Sequence, residues 1–212
     1  MIPKLHYISQ GISPKEHIEN IQKACSSGAE LVQLNINNLS EKKYLKLAKE
    51  AREITAHFQT RLILKNHYKI AKEVKADGVH IENTDFCATT ALEHLYTWQI
   101  IGGTANTLKD CESLISKKVD YIILSPFKSS SNNDNGAKVL GENGFSLIVE
   151  ALKTETPIIG AGGIKTDDVK AILATGVSGI AVSDAVTLNF DSIKLFNQLL
   201  GASSIDEQRH TF

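Results

Sequence analysis

Residues 156–164 read TPIIGAGGI, a short apolar run that ends in a double glycine. The run does not alternate with polar residues, which is typical of a strand buried on both faces, as in a parallel sheet. A helical pattern follows from about Thr166 and ends before Gly176. This stretch therefore predicts a buried strand, a tight turn and a helix in succession.

The same unit recurs along the whole chain. Amphipathic segments lie between the apolar runs, and three of them open with a residue that favours a helix start, namely Ser13, Ser40 and Thr107. Ser13 is followed by Pro14 and Glu16, so a capping serine, a proline at the first helical position and a capping-box glutamate stand in order. Eight runs are predicted as strands: 5–9, 31–36, 61–64, 78–81, 99–102, 121–125, 157–160 and 179–183.

Eight strands that alternate with helices predict a (β/α)8 barrel of the α/β class. The competing architecture, a doubly wound open sheet, usually carries a glycine-rich turn after its first strand. The corresponding turn here, residues 10–13, lacks that set of glycines. We expect residues 1–200 to form a single barrel and residues 201–212 to form a flexible C-terminal tail.

The composition is that of an ordinary globular protein. The chain has 212 residues, of which 42% are apolar and 22% charged, and this argues against a disordered chain. Its 23 basic and 24 acidic residues give a formal net charge of −1, whereas nucleic-acid-binding proteins usually carry a basic excess. No apolar run reaches the length of a membrane helix. We therefore expect neither a nucleic-acid partner nor a membrane.

The cysteines and the N-terminal residues indicate the compartment. Cys25, Cys87 and Cys111 lie far apart and form no CxxC pair, so we expect reduced thiols and no structural zinc site. The first ten residues lack the apolar segment of a signal peptide. These features predict a cytoplasmic protein. A homodimer is compatible with a barrel, but the sequence contains no patch that identifies its interface.

In a (β/α)8 barrel the functional residues lie at the carboxyl ends of the strands. These ends carry a set of polar or small residues in this chain. They are Ser9, Asn35, Asn37, Lys65, Asn66, His67, Glu82, Asn83, Asp85, Thr104, Asn106, Ser125, Lys128, Gly162, Gly163, Ser183 and Asp184. We expect the active site among them.

Gly162 and Gly163 give the strongest of these signals. Glycine lets the backbone approach a ligand closely and point N–H groups at it, and barrels often hold a phosphate at the loops after strands seven and eight. Val182 and Ser183, at the end of the eighth predicted strand, would form the second half of this site. The alternative is a tight strand-to-helix turn without a ligand.

Three further features have alternative interpretations. His80 lies inside a predicted strand, which favours a hydrogen-bonded barrel residue over a catalytic one. Asp85 follows that strand and could either bind Mg²⁺, which prefers oxygen ligands, or cap the next helix. Residues 128–144 are too polar for a helix or strand and are interpreted as a lid, a binding loop or a disordered segment on the catalytic face.

Other short motifs occur in register between about residues 5 and 200. They are Gln33-Leu34, Asp77-Gly78-Val79-His80, Ile101-Gly102, Asp120-Tyr121-Ile122, Ser125-Pro126-Phe127 and the segment 157–164. In this combination the chain resembles the thiamine phosphate synthase family, whose relatives include the thiazole tautomerases. The resemblance implies a (β/α)8 barrel that joins a hydroxymethylpyrimidine diphosphate to a thiazole phosphate and releases diphosphate with Mg²⁺ present.

The resemblance also implies roles for individual residues. Asn35 and Asn37 stand where the family has an arginine and a lysine that face the diphosphate. The segment Lys65-Asn66-His67 stands where the family reads Asn-Asp-Arg, so Asn66 replaces one expected metal ligand and Asp85 keeps the other. The implied Mg²⁺ site is therefore weakened.

Further positions follow from the same resemblance. Thr104 replaces a serine, and Asn133 replaces a lysine of the loop after strand six, for which Lys128 could substitute. The implied catalytic set is Asn35, Asn37, Lys65, His67, Thr104, Lys128 and Asn133. The implied substrate-binding set is Gln33, Ser125, Gly162, Gly163, Val182 and Ser183.

The losses affect the diphosphate side of the site and spare the single-phosphate side. One well-placed charged donor is worth on the order of 10²–10³ in rate, so the synthase reaction should be slowed. Three hypotheses follow: a synthase-like transferase, full or impaired; an isomerase acting on a small phosphate with His67 as the base; and a non-catalytic binder of a phosphorylated thiamine precursor. All three assume a phosphorylated small-molecule ligand.

Overall fold

The computed structural model of the protein describes residues 1–82, 88–129 and 138–201. Eight parallel strands follow one another around a closed barrel, and β8 pairs with β1 through the register Leu5 to Ile180. The strands are β1 Leu5–Ile8, β2 Leu31–Leu34, β3 Arg61–Lys65, β4 Gly78–Ile81, β5 Ile100–Ala105, β6 Tyr121–Leu124, β7 Ile158–Ala161 and β8 Gly179–Val182. The predicted barrel fold is confirmed.

Helices connect the strands on the outside of the barrel. They are α1 Pro14–Ser26, α2 Glu41–His57, α3 Tyr68–Glu73, α4 Ala88–His94, α5 Leu108–Ser116, α6 Gly141–Leu152, α7 Val169–Ala174, α8 Asp184–Thr187 and α9 Ser192–Leu199. A short 3₁₀ turn, Thr166–Asp168, leads into α7. No helix in the described ranges is long and apolar enough to cross a membrane.

Two predicted helix starts carry the expected caps. The Ser13 hydroxyl accepts a hydrogen bond from the Glu16 N–H at 3.2 Å, and the Thr107 hydroxyl accepts one from the Asp110 N–H at 3.1 Å. The capping box at Glu16 differs by one residue from the prediction, since its carboxylate accepts from the N–H of Ile12 at 2.8 Å. The bonds to Ser13 and Thr107 satisfy N–H groups that the first helical turn leaves without partners.

Apolar side chains form two layers, one between barrel and helices and one inside the barrel. The inner layer is small and contains Tyr121, Ile123, Ile159, Ala161 and Ala181. The ring of Tyr121 is fully buried, and a Cβ on Gly102 would lie 2.1 Å from its Cζ atom. Glycine at position 102 therefore leaves the room that this ring fills.

The loop after β6 ends earlier than the sequence predicted. Residues 128–144 were expected to lack an element, yet α6 begins at Gly141. The N–H groups of Leu140 and Gly141 donate to the carbonyls of Pro126 and Phe127 at 3.0 and 3.2 Å. The chain just after β6 thus fixes the start of α6, although the glycines there are poor helix formers. Residues 130–137 and the tail from 202 onward lie outside the described residues.

Candidate active site

The carboxyl ends of the strands surround one open cleft. It brings together most of the predicted site residues: Gln33, Asn35, Asn37, Lys65, Asn66, Thr104, Ser125, Gly162, Gly163, Val182 and Ser183. Asp85 and Asn133 lie outside the described residues. The cleft has two sides, which we name by their strands. The β2–β4 wall consists of Asn35, Asn37, Lys65, Asn66 and Glu82, and the β6–β8 wall consists of Ser125, Gly162, Gly163, Val182 and Ser183.

Lys65 is the central charge of the β2–β4 wall. It ends β3 and is buried, and its Nζ atom lies 2.7 Å from a carboxylate oxygen of Glu82, just after β4. In the described part of the chain, the other Lys or Arg side chain that lines the cleft is the exposed Lys165. Lys65, a member of the implied catalytic set, is thus already paired within the protein.

Asn66 is held by the backbone around it. Its φ of 58° lies in the left-handed region, which asparagine and aspartate tolerate better than most residues. Its N–H donates to the carbonyl of His80 at 2.8 Å, and its side-chain oxygen accepts from the N–H of Glu82 at 3.1 Å. The amide therefore fixes the start of the segment that follows β4.

Asn35 is anchored through its backbone. Its N–H donates to the Ser9 hydroxyl at 3.1 Å, and this hydroxyl lies 3.0 Å from Nδ1 of His17 on α1. Burial lowers the pKa of His17. The side-chain oxygens of Asn35 and Gln33 are buried, and neither has a hydrogen-bond partner among the described residues. A ligand with N–H or O–H donors would satisfy these acceptors.

Buried histidines and a tyrosine form the floor of the cleft. The two ring nitrogens of His80 lie 3.2 Å from the Tyr121 hydroxyl and 2.8 Å from the Thr104 hydroxyl. His6 makes an edge-to-face contact with the Tyr121 ring, with centroids 5.1 Å apart. Burial lowers the pKa of His80 to about 3 and that of His6 to about 4, and it raises the pKa of Tyr121. Each group is therefore neutral near pH 7. His80 is hydrogen-bonded inside β4, as predicted, and it also lines the cleft.

The double glycine of the β6–β8 wall packs against the chain that follows β6. Gly162 has a φ of 99°, and a Cβ there would lie 2.7 Å from the Cα of Pro126. Gly163 has a φ of 65°, and a Cβ there would lie 3.0 Å from the carbonyl oxygen of Ser129. The carbonyl of Gly162 also accepts the N–H of Lys128 at 3.0 Å. Glycine is therefore required at these positions by close contact with the chain after β6, and not by contact with a ligand.

Lys128 and Ser183 both make contacts within the protein. The ammonium group of Lys128 forms an ion pair with Asp168 at the start of α7, outside the cleft lining. Partial burial by itself would raise the pKa of Asp168. The hydrogen bonds from Lys128 and from the Lys165 N–H outweigh it and lower that pKa. The Ser183 hydroxyl lies 2.8 Å from the carbonyl oxygen of Ile8 and ties β8 to β1.

His67, the candidate general base, lies away from the cleft. Its ring stacks on that of Tyr44 from α2, with centroids 3.8 Å apart, and it is not among the residues that line the cleft. Burial lowers the pKa of His67. The structure therefore does not bring His67 together with the other predicted site residues.

Glu82, Ser9 and His17 also line the cleft, and the sequence assigned none of them a catalytic, binding or metal role. Ser9 and Glu82 stand at predicted strand ends, so the sequence indicated that they lie near the active site. It did not indicate which residues they contact. His17 is a polar residue on the buried face of α1, between Ser13 and Ile21, and this unusual placement was the available hint.

The family model for thiamine monophosphate synthase matches residues 5–186. The chain belongs to this family. The thiamine-phosphate synthase of Flavobacterium johnsoniae is 33% identical over 202 residues, which cover 94% of this chain and 95% of the relative. The thiamine-phosphate synthase of Bacteroides fragilis is 29% identical over 199 residues, or 92% of this chain and 98% of the relative.

A solved structure shows the same architecture. Thiamine phosphate pyrophosphorylase from Pyrococcus furiosus superposes with a TM-score of 0.79 at 27% identity, covering 93% of this chain and 95% of that one. The resemblance predicted from the sequence is thereby confirmed. The chain is a thiamine phosphate synthase-like protein of thiamine biosynthesis.

Proposed function

We propose that the cleft joins a hydroxymethylpyrimidine diphosphate to a thiazole phosphate and releases diphosphate, at a rate below that of a site with the full family pattern. One observation carries this proposal. The cleft unites Gln33, Ser125, Gly162, Gly163 and Ser183 at one rim of a barrel that spans nearly the whole length of its synthase relatives.

The reaction breaks a carbon–oxygen bond, and the diphosphate leaves with the bonding electrons. The pyrimidine fragment becomes cation-like, and the thiazole phosphate supplies the electron pair for the new bond. Negative charge on the leaving group needs cations in the β2–β4 wall. Neutral amides at Asn35 and Asn37 supply hydrogen bonds but no charge, which is the reason for the reduced rate.

The β6–β8 wall is the proposed place for the thiazole phosphate. Gly162, Gly163 and Ser183 line the cleft on this side, and the exposed residue Lys165 lines it as well. Backbone N–H groups in a glycine turn and a nearby lysine are suited to a single phosphate. Gln33 and Asn35 would accept hydrogen bonds from the heterocycle between the walls.

The described residues do not fit a tightly bound Mg²⁺. Among residues 1–82, 88–129 and 138–201, no group of three His, Cys, Asp or Glu side chains is placed to hold a metal ion. Asn66 offers one neutral oxygen that already accepts from Glu82, and the Glu82 carboxylate is paired with Lys65. We infer weak Mg²⁺ binding that involves Asp85, and we assign no step to the metal.

A second function is favoured by a specific observation. Because the buried cation of the β2–β4 wall is paired with Glu82, the chain could bind a thiazole phosphate without transferring it. An isomerase that uses His67 has less support, since His67 stacks on Tyr44 outside the cleft. A cytoplasmic location and a homodimer remain predictions from the sequence.

A single-turnover assay separates these functions. The protein is mixed in excess with the pyrimidine diphosphate, the thiazole phosphate and Mg²⁺, and thiazole phosphate binding is followed by calorimetry in parallel. Formation of thiamine phosphate supports the transferase. Binding without product would overturn the transferase and support the binder, and neither product nor binding would overturn both.

A further inference from the structure

The ion pair between Lys65 and Glu82 is asymmetric. The Lys65 side chain is 6% exposed, whereas the Glu82 side chain is 45% exposed. A buried ammonium group requires a partner, because its desolvation is not compensated otherwise. A half-exposed carboxylate can return to water at little cost. Of the two partners, Glu82 is therefore the one that can be exchanged.

The position of Lys65 relative to the double glycine indicates which ligand could replace Glu82 as its partner. Lys65 ends β3 and Gly162 follows β7, and these strands are separated by three others on one side of the ring and three on the other. Both residues line the same cleft. The barrel thus presents a buried cation on the wall opposite the proposed single-phosphate site.

We propose that Glu82 is a built-in competitor that holds Lys65 until the diphosphate of the substrate displaces it. This inference rests on the proposed function, because it assigns the cation of the diphosphate subsite. Lys65 then binds the leaving group in place of the cations lost at Asn35 and Asn37. Glu82 sets the affinity for the diphosphate and keeps the buried cation paired while the cleft is empty.

Inorganic diphosphate is the probe for this inference, and its dissociation constant is measured by calorimetry. Glu82→Gln should bind diphosphate about tenfold more tightly than the wild type, because the competing charge is gone and the side chain is nearly unchanged in shape. Lys65→Met should bind it about tenfold more weakly. Glu73→Gln is the matched control, because Glu73 pairs with Lys49 at 3.1 Å on the surface of α2 and α3.

The double variant Lys65→Met/Glu82→Gln distinguishes competition from simple repulsion. If Glu82 acts only through Lys65, the double variant binds diphosphate as Lys65→Met does. Tighter binding by the double variant than by Lys65→Met would overturn the inference, as would an unchanged affinity in Glu82→Gln. Glu82→Asp, which keeps the charge on a shorter side chain, provides a further folded variant and should lie between the wild type and Glu82→Gln.

The inference and the proposed function can fail separately. If no variant forms thiamine phosphate but Glu82→Gln tightens diphosphate binding, the transferase is overturned and the competitor stands. If the wild type forms thiamine phosphate and neither Glu82→Gln nor Lys65→Met changes diphosphate binding, the transferase stands and the competitor is overturned.

Discussion

The two walls of the cleft are built on different principles. On the β6–β8 wall, the family residues Gly162 and Gly163 are required by the backbone, since both have a positive φ and a side chain at position 162 would collide with Pro126 after β6. On the β2–β4 wall, Asn35 is held by its backbone N–H, and Asn66 occupies a conformation that aspartate also tolerates. The side chain at position 35 can therefore change without breaking this backbone bond, and an aspartate at position 66 would keep an acceptor for the Glu82 N–H.

The difference explains which part of the family pattern this chain has kept. Replacement of a glycine in the β6–β8 wall would cost stability, whereas replacement of an arginine, lysine or aspartate in the β2–β4 wall costs only charge. The intact double glycine therefore shows that the fold is kept, and it is weaker support for a phosphate ligand than the sequence alone suggested.

The largest expected effect is on stability, from Gly162→Ala. A left-handed backbone and a Cβ 2.7 Å from Pro126 should together destabilise the protein by about 2–4 kcal/mol, measured by urea unfolding. Gly141→Ala is the matched control, because its φ of 61° is also positive but a Cβ there meets nothing within 4 Å. Equal losses in both variants would mean that packing does not constrain the β6–β8 wall.

The next effect is a loss of stability at low pH, caused by the buried histidines beneath both walls. His6 and His80 have folded-state pKa values lowered by burial to about 4 and about 3, below the ordinary 6.5. The unfolded chain therefore binds more protons below pH 6.5, and stability that is complete above that pH should fall as the pH drops towards 4 and 3. The slope should approach about 1.4 kcal/mol per pH unit for each histidine.

Unfolding measured between pH 7 and 4 checks this slope. His6→Gln should reduce it, because one of the two depressed groups is removed. His57→Gln, at an exposed position at the end of α2, should leave it unchanged. A wild-type stability that does not vary between pH 6.5 and 4.5 would contradict the prediction that His6 and His80 stay neutral in the folded protein.

Restoring charge to the β2–β4 wall should raise the reaction rate. The triple variant Asn35→Arg/Asn37→Lys/Asn66→Asp is expected to increase the single-turnover rate of thiamine phosphate formation by about 10²-fold. Asn38→Asp is the matched control for Asn66→Asp, because Asn38 also has a positive φ, of 60°, and is exposed outside the cleft lining. An unchanged rate in the triple variant would mean that the lost cations do not limit this chain.

The smallest expected effect is that of Mg²⁺ on the wild type. Without diphosphate, millimolar Mg²⁺ should shift the thermal midpoint by less than about 1 °C, because a ligand stabilises only in proportion to its affinity. Asn66→Asp should show a larger shift than the wild type. A large shift in the wild type would show a complete metal site and would remove one difference between the walls.

Much of the fold was predictable because its signals are local. Apolar runs buried on both faces gave all eight strands, and Ser13 and Thr107 gave helix starts. The third and fifth strands extended beyond their predicted ends, to Lys65 and Ala105. Gly102 and Gly103 resemble a turn in the sequence, but they are interior strand residues because Tyr121 and Leu114 occupy the space beside them.

The positions of the candidate site residues were predictable from the sequence, but their ion-pair and ring-contact partners were not. Parallel strands end at one rim, so Gln33, Thr104 and Ser125 were expected to meet there. The pairing of Lys65 with Glu82 depends on two neighbouring strands and leaves no local pattern. His67 was predicted to belong to the cleft, but it does not line it. The residue before it, Asn66, has a left-handed backbone, and the His67 ring lies against Tyr44.

The ring of Tyr121, set into the gap that Gly102 leaves, has a kinetic consequence. Tyr121 and Ile159 are buried beneath the cleft, so the barrel is closed at its base and ligands must enter and leave by the same mouth. Both substrates and both products therefore pass through one opening above the β2–β4 and β6–β8 walls. Thiamine phosphate and diphosphate added at the start should each slow the reaction, because a product that stays in the cleft blocks the entry of the next substrate.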